Sequence, residues 1–253
     1  MLKKMLASIG IGAAAIDLEI LTPQVEPGQT LKGTVKISGG TIEQEVQKIE
    51  ISLLLKSTYY DNMQSRILNK VVSSVIIAEK TVIKPGYEKI MPVSFEIPFA
   101  KNMPISRGRT RYFLQTNAYI RNAVDPVDHD DILVVPNKYF KMLFDALAHL
   151  GFHEKNNSGD FDGFLQEFYY TPTTFFAQDI KEIKVSAKVK KSEMNITIKL
   201  DKIHHSLIDS LADDIDPNET IIRFTLIFDE MENSQITADY LKKLFEKECR
   251  KIT

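Results

Sequence analysis

Apolar and polar residues alternate with a period of two along most of the first half of the chain. This alternation is typical of β-strands that bury one face and expose the other. The clearest examples lie at 31–37, 49–55 and 91–97, with further strands predicted at 71–83 and 109–120. Turn sequences such as Glu26-Pro27-Gly28 and Lys84-Pro85-Gly86 separate these segments. We therefore predict an antiparallel β-sandwich over residues 1–136.

The pattern then changes to a helical spacing of three and four residues. This stretch begins at Asn137, a typical N-cap residue, and ends at Gly151, a typical C-terminal stop. The apolar residues at helical spacing are Phe140, Leu143, Phe144, Leu147 and Leu150. These signals predict a short linker helix at 137–151.

The second half of the chain returns to alternation and predicts a second β-sandwich at 152–232. A C-terminal helix is predicted at 233–253, with apolar residues grouped on one side. On that side, Leu241, Leu244 and Phe245 form a candidate face for docking a partner, or alternatively cover an edge of their own domain. The predicted fold class is therefore mainly β, with two antiparallel sandwich domains, a short linker helix and a C-terminal helix.

Composition narrows the possible partners. The chain has 253 residues, 43% of them hydrophobic, which is enough for two domains with separate cores. The formal net charge of −2 argues against a nucleic-acid partner. A single cysteine, Cys249, excludes an intramolecular disulfide and predicts a cytoplasmic location. No apolar run approaches the ~20 residues of a membrane-spanning helix, so no integral membrane segment is predicted.

The N-terminal segment carries two weak targeting signals. Lys3 and Lys4 precede an apolar run, as in a signal peptide, but Gly10 and Gly12 interrupt that run and a strand pattern follows it. The same segment offers a second hypothesis, peripheral attachment to a membrane surface as an adaptor. The turn Arg107-Gly108-Arg109 is basic and is followed by aromatic residues, yet we interpret it as an exposed turn rather than a nucleic-acid site.

Motifs for catalysis and cofactor binding do not fit their structural context. The letters Gly10-Ile11-Gly12-Ala13-Ala14-Ala15 match a dinucleotide fingerprint, but a strand follows them where the fingerprint requires a helix. His149 and His153 are four residues apart, but Gly151 between them ends the helix that a metal pair would need. His204 and His205 are adjacent and point apart. We predict no catalytic residues, no cofactor and no enzymatic activity.

The densest polar cluster is the segment Asp125-Pro126-Val127-Asp128-His129-Asp130-Asp131. Its carboxylates repel one another unless positive charge lies nearby. Our hypothesis is an ionic cluster between the two domains, with solvated turn charges as an equally good interpretation. Its proposed members are Arg121, Asp125, Asp128, Asp130 and Arg223. A further alternative is a Ca²⁺-binding module or metal-dependent hydrolase that uses the four aspartates of the segment.

Five segments resemble the bacterial sporulation-control protein M (stage-zero M) family. They are KKMLASIGIGAA at 3–14, GGTIEQEV at 39–46, AVDPVDHDDI at 123–132, HLGF at 149–152 and QEF at 166–168. The resemblance spans roughly the whole chain and is strongest before residue 170. It implies two arrestin-like β-sandwich domains, in agreement with the strand patterns above. It also implies a cytosolic regulatory or scaffolding protein rather than a catalyst.

The leading functional prediction is a non-enzymatic regulator that binds cytosolic proteins whose identity the sequence does not give. Open sandwiches leave strand edges, and an exposed edge can accept a partner strand through main-chain hydrogen bonds. Self-association is left open. The alternatives are the metal-dependent module at residues 125–131 and the membrane adaptor at the N-terminus.

Overall fold

The computed structural model describes residues 12–61, 64–99, 103–203 and 219–249. The hypotheses for the N-terminal signal or membrane segment, for the start of the glycine motif at Gly10 and for His204 and His205 lie outside these residues. Within them the chain forms fourteen strands and two α-helices. The mainly β class is confirmed.

The strands up to residue 134 are β1 (Ala15–Ile20), β2 (Gln24–Val25), β3 (Thr30–Ser38), β4 (Gln44–Asp61), β5 (Gln64–Ile83), β6 (Glu88–Glu96), β7 (Arg111–Ile120) and β8 (Val127–Val134). Helix α1 (Lys138–His149) follows them. The remaining elements are β9 (Phe152–Glu154), β10 (Asp160–Phe161), β11 (Gln166–Pro172), β12 (Ile180–Val189), β13 (Glu193–Lys202), β14 (Glu219–Ile227), a 3₁₀ turn (Phe228–Glu230) and α2 (Ser234–Cys249).

Two compact units divide the chain. The first contains the described residues up to Ser57, together with Ile67–Phe99 and Arg111–Val135. The second contains the described residues of 58–66 and 100–110 and those from Pro136 onward. A boundary at a single point, as drawn from the sequence at residue 136, therefore does not describe this division. The described residues of segments 58–66 and 103–110 interrupt the first unit in sequence and belong to the second.

The first unit is a sandwich of two antiparallel sheets. One sheet has the order β1-β3-β6, and the other has the order β2-β8-β7-β4-β5, in which β2 alone pairs in parallel. Apolar residues alternate into the interior, as in β3, where every second residue from Leu31 to Ile37 except Gly33 is a large buried side chain. Leu18 and Phe95 of the smaller sheet line one small cavity with Ile51 and Leu114 of the larger sheet, which shows that the two sheets face each other.

The second unit has one six-stranded antiparallel sheet in which β10, β11, β12, β13 and β14 are neighbours and β9 also pairs with β11. Its buried face is covered by α1 and α2, where the sequence predicted a second sheet. Phe140 of α1 contacts the ring of Phe168 edge-on, with ring centroids 5.5 Å apart. Phe245 of α2 contacts Phe152 at 5.3 Å. Helices fill this layer because their apolar residues follow the helical period.

Helix α1 begins and ends where the sequence predicted. The Asn137 side chain accepts a hydrogen bond from the backbone N–H of Phe140 at 2.9 Å. Gly151 adopts a φ of 74°, the left-handed conformation typical of a helix C-terminus. The helix lies inside the second unit, with Leu143 and Leu147 fully buried, so it forms part of a core rather than an isolated linker.

Helix α2 buries the face that the sequence offered as a docking surface. Leu241 and Phe245 are fully buried in the core of the second unit, and Leu244 packs against that core. In this structure the face covers the protein's own domain, as in the alternative interpretation. Because these side chains are buried in the core, they do not form an exposed docking surface in this structure.

Segment 103–110 is held to the second unit by a buried glutamine. The side-chain amide of Gln166 accepts a hydrogen bond from Ile105 N at 2.8 Å. It also donates to Ile105 O at 2.9 Å and to Gly159 O at 2.7 Å. Close approach requires glycine at 108, where φ is 56° and a Cβ atom would lie 2.0 Å from Ser158 O. One side chain thus satisfies main-chain groups from two separate segments.

We expect Gln166→Leu to destabilise the second unit by about 3 kcal/mol, because it removes the side-chain partner of Ile105 N and Ile105 O in a buried site and leaves Gly159 O with the Thr110 hydroxyl alone. Urea denaturation followed by circular dichroism measures the change. Gln235→Leu, at an exposed position of the same unit, is the matched control and should change stability by less than about 0.5 kcal/mol. Equal stability of the two variants would show that the Gln166 hydrogen bonds contribute nothing.

Candidate functional site

Strand β5 is an unusually long edge strand. It spans 20 residues and is the outermost strand of the five-stranded sheet. Within the described parts of the chain no other strand pairs with its outer side. Residues 71–78, with the sequence VVSSVIIA, contain no charge, no proline and no glycine. Charged residues and proline are features by which proteins normally prevent an edge strand from pairing with another chain, and this stretch lacks both.

Large apolar side chains are exposed along β5. Val71 is 56% exposed and Ile76 is 46% exposed, and their separation by an odd number of residues places them on opposite faces of the strand. Further exposed apolar side chains of the strand are Ile67, Val75 and Val82. Such a concentration is typical of a surface that binds another protein. We call the stretch from Ile67 to Glu79 the β5 edge.

Other edges of the first unit are protected. Strand β2, at the opposite side of the same sheet, is only two residues long. Strand β6 is an edge of the smaller sheet, and it carries Pro92 and charged residues at Glu88, Lys89 and Glu96. Short edges, proline and charge all hinder the addition of a further strand. The β5 edge therefore differs from the edges formed by β2 and β6.

The aspartates of residues 125–131 have separate structural roles. Asp125 accepts a hydrogen bond from Ile120 N at 2.7 Å and closes the turn between β7 and β8. Asp128 accepts from Leu18 N at 2.7 Å and so joins β8 to β1. Among the described residues, no group of three His, Cys, Asp or Glu side chains is placed to hold a metal ion.

Asp130 is the aspartate whose environment is most unfavourable to charge. Burial, together with repulsion from Asp128, Asp17 and Asp131, raises the pKa of its carboxyl to about 7. Its Oδ2 atom is buried without a hydrogen-bond partner among the described residues. The cluster thus concentrates negative charge around Asp130.

The two arginines of the proposed ionic cluster lie in different units. Arg121, in the first unit, pairs with Glu45 at 3.4 Å, and both side chains are 64% exposed. Arg223, in the second unit, is an exposed residue of β14 opposite Thr197. An exposed pair such as Arg121–Glu45 contributes little stability, and the ionic cluster between the two domains stays a prediction.

The basic turn Arg107-Gly108-Arg109 is neutralised within the second unit. Arg107 forms a bidentate ion pair with Glu154, and Arg109 forms one with Asp160. These hydrogen bonds raise the pKa of both guanidinium groups. Arg109 also lies over the ring of Tyr60 at 4.8 Å. The partners lie about fifty positions away in sequence, so the local pattern did not reveal them.

Membrane insertion by a helix has no support in the described residues, since none of their helices is long and apolar enough to cross a bilayer.

The fold defines a mainly β protein that combines a two-sheet sandwich with a helix-covered sheet. Within this class, residues 2–204 match the sequence profile described as SpoOM protein, and the chain belongs to that family. The sporulation-control protein spo0M of Bacillus subtilis (strain 168) is 25% identical over 255 residues, which cover 97% of each chain. The crystal structure of Spo0M from Bacillus subtilis superposes with a TM-score of 0.76 at 22% identity, covering 96% of this chain and 100% of that one.

We expect the stability of the first unit to fall as the pH rises from about 4 to about 7. The folded protein retains the Asp130 proton in this range, whereas the unfolded chain releases it, so deprotonation favours unfolding. Asp130→Asn should reduce this pH dependence and stabilise the protein at pH 8 by about 1 kcal/mol, a value lowered by solvent screening. Denaturation at pH 5 and pH 8 measures both effects.

Glu43→Gln removes an exposed carboxylate of the same unit and serves as the control. It should retain the wild-type pH dependence. An Asp130→Asn variant that follows the wild-type profile would assign the pH dependence to other groups.

Proposed function

We propose that this member of the sporulation-control family is a non-enzymatic regulatory or scaffolding protein of the cytosol that acts by binding other proteins. The observation that carries the proposal is the β5 edge, which has no strand on its outer side within the described residues and presents apolar side chains. Membership of a family named for sporulation control supports the regulatory part.

An extended segment of a partner can add to the β5 edge as a further strand. Main-chain hydrogen bonds would supply affinity, and contacts with the side chains on both faces would supply selectivity. The uncharged stretch at 71–78 is long enough for several such hydrogen bonds. This mode of binding requires no pocket and no reactive side chain.

The polar residues that the sequence singled out support a structural interpretation of their roles. Asp125 and Asp128 hold main-chain N–H groups, and Arg107 and Arg109 are paired with carboxylates. Their hydrogen-bonding capacity is used within the units. The exposed apolar edge is therefore the better supported site of action.

Replacing Val75 and Ile76 by lysine should abolish partner binding, because adjacent lysines place charge on both faces of the β5 edge. Both side chains are exposed, so we expect the fold to tolerate the change. Crosslinking in cells, followed by affinity purification of the tagged protein, should recover partners with the wild type and lose them with the variant. A chromosomal Val75→Lys/Ile76→Lys replacement should reproduce the phenotype of a deletion.

The matched control is Ile90→Lys/Val127→Lys, which adds the same charge at two exposed strand positions of the same unit. It should retain both the crosslinked partners and the phenotype of the wild type. Retention of partners by the β5 variant, or equal loss in the control, would contradict the role of the β5 edge.

A further inference from the structure

We propose that the second unit binds an acidic, extended segment of a partner protein on the face of its sheet opposite α1 and α2. The site consists of nine neighbouring positions on β12, β13 and β14, and we call it the basic face. It is separate from the β5 edge. The inference therefore adds a second binding surface to the proposed function and does not depend on the first.

Alternation along the strands separates the basic face from the face that the helices cover. In β13 every second residue from Met194 to Leu200 is fully buried in the core of the second unit, whereas the residues between them are partly exposed. In β14, the ring of Phe224 contacts the ring of Tyr240 in α2, with centroids 5.7 Å apart. Its neighbour Arg223 therefore lies on the opposite face and is exposed.

The strand register arranges the nine positions in three rows of three. Directly paired residues of neighbouring strands lie side by side on the same face. A hydrogen bond of 2.8 Å from the Thr225 hydroxyl to the Asn195 side chain is one such contact. From β12 to β14, the rows are Lys184, Lys199 and Ile221; Ser186, Thr197 and Arg223; and Lys188, Asn195 and Thr225. Four of these nine residues are cationic and none is acidic.

The cations of the basic face lie close enough to repel one another. Lys184 is directly opposite Lys199, and like charges in such a pair destabilise a sheet. Arg223 is diagonal to Lys199 on the next strand, a separation of about 7 to 8 Å. Within the described parts of the chain, Lys184, Lys188 and Arg223 form no ion pair. A carboxylate bound among these cations would relieve their repulsion.

Paired carboxylates border the basic face along its strands. Beyond the first row, Glu182 lies opposite Asp201, and beyond the third row Glu193 lies opposite Ile227. These carboxylates already form ion pairs, Glu182 with Lys155, Asp201 with Lys181 and Glu193 with Lys190. The uncompensated positive charge is thus confined to about 13 Å along the strands. Nucleic acids and anionic membranes bind through many phosphates or headgroups, so this short surface favours a protein segment.

An extended acidic segment matches the spacing of the rows. Successive rows are two residues apart on each strand, which corresponds to about 7 Å. Carboxylates at alternate positions of an extended chain have the same spacing and lie on one side of it. A segment that follows the strand direction therefore brings one carboxylate to each row. The side chains of Thr197 and Asn195 add hydrogen-bond donors between the cations.

Isothermal titration calorimetry with the full-length protein tests this inference. The probe is an unlabelled peptide of about seven residues in which glutamate and serine alternate. The comparison peptide has glutamine in place of every glutamate. We expect binding of the acidic peptide only. Because salt screens exposed charges, its dissociation constant should rise about tenfold between about 0.05 and 0.5 M sodium chloride.

Charge removal locates the binding. Lys184→Gln/Arg223→Gln should raise the dissociation constant of the acidic peptide about tenfold, because two of the four cations are lost. Lys184→Arg/Arg223→Lys retains both charges and should keep the affinity within about twofold. The matched control is Lys243→Gln/Lys247→Gln, which removes two exposed charges from α2, on the other side of the sheet. This control should bind the peptide as the wild type does.

Amide chemical shifts of the ¹⁵N-labelled wild type identify the site without a variant. Addition of the acidic peptide should shift the signals of β12, β13 and β14 around Thr197. Shifts confined to other elements would overturn the basic face as the site. The β5 variant Val75→Lys/Ile76→Lys should bind the peptide with wild-type affinity, so this inference and the role of the β5 edge are tested separately.

Three results of the titrations would overturn the inference. They are no binding of the acidic peptide at about 1 mM, equal binding of the glutamine peptide, and equal weakening in Lys184→Gln/Arg223→Gln and in the α2 control. Vesicles that contain phosphatidylglycerol test the alternative occupant. If they bind the wild type but not Lys184→Gln/Arg223→Gln, and the peptide binds neither, the basic face contacts an anionic membrane and the acidic segment is wrong.

Discussion

Main-chain hydrogen bonding at the ends of a sheet is the constraint on which the interpretation of this molecule depends. Every interior strand satisfies its N–H and C=O groups on both sides, whereas an edge strand satisfies only one side. In the first unit, β7 and β4 are interior and β5 is not. A strand of 20 residues with an uncharged middle therefore leaves a long row of such groups beside apolar side chains. Water satisfies these groups in the free protein, and another strand can replace that water.

In the second unit, side chains satisfy main-chain and side-chain hydrogen-bonding groups. Gln166 bonds to the main chain of Ile105 and Gly159, and Asn137 caps the first turn of α1. Arg107 and Arg109 pair with acidic residues of the same unit, so the basic turn is fixed in place. These contacts pair the polar groups of the basic turn, which its local sequence alone would leave available to a ligand. The basic turn therefore has a structural role, and acidic residues that are distant in sequence determine that role.

The sequence predicted the mainly β class, the strands and helix α1, because alternation, caps and turn residues are local signals. It placed a strand at 71–83, but β5 begins at Gln64. Paired apolar neighbours such as Val71 with Val72 and Ile76 with Ile77 break the alternation, and this was the available sign of a strand exposed on both faces. Edge position itself depends on the order of strands in the sheet, which periodicity does not contain. For the same reason the sequence did not reveal that helices cover the second sheet.

The two sides of the five-stranded sheet show that exposure of β5 is specific rather than a general property of this fold. On one side the sheet ends in β2, two residues long, next to the carboxylates of β8. Burial and the neighbouring carboxylates raise the pKa of the Asp130 carboxyl to about 7, and the negative charge of those neighbours opposes the approach of a further strand. On the other side the sheet ends in a long, uncharged strand. One sheet thus carries a protected edge and an open edge, and this physical difference supports the binding role that we propose for β5.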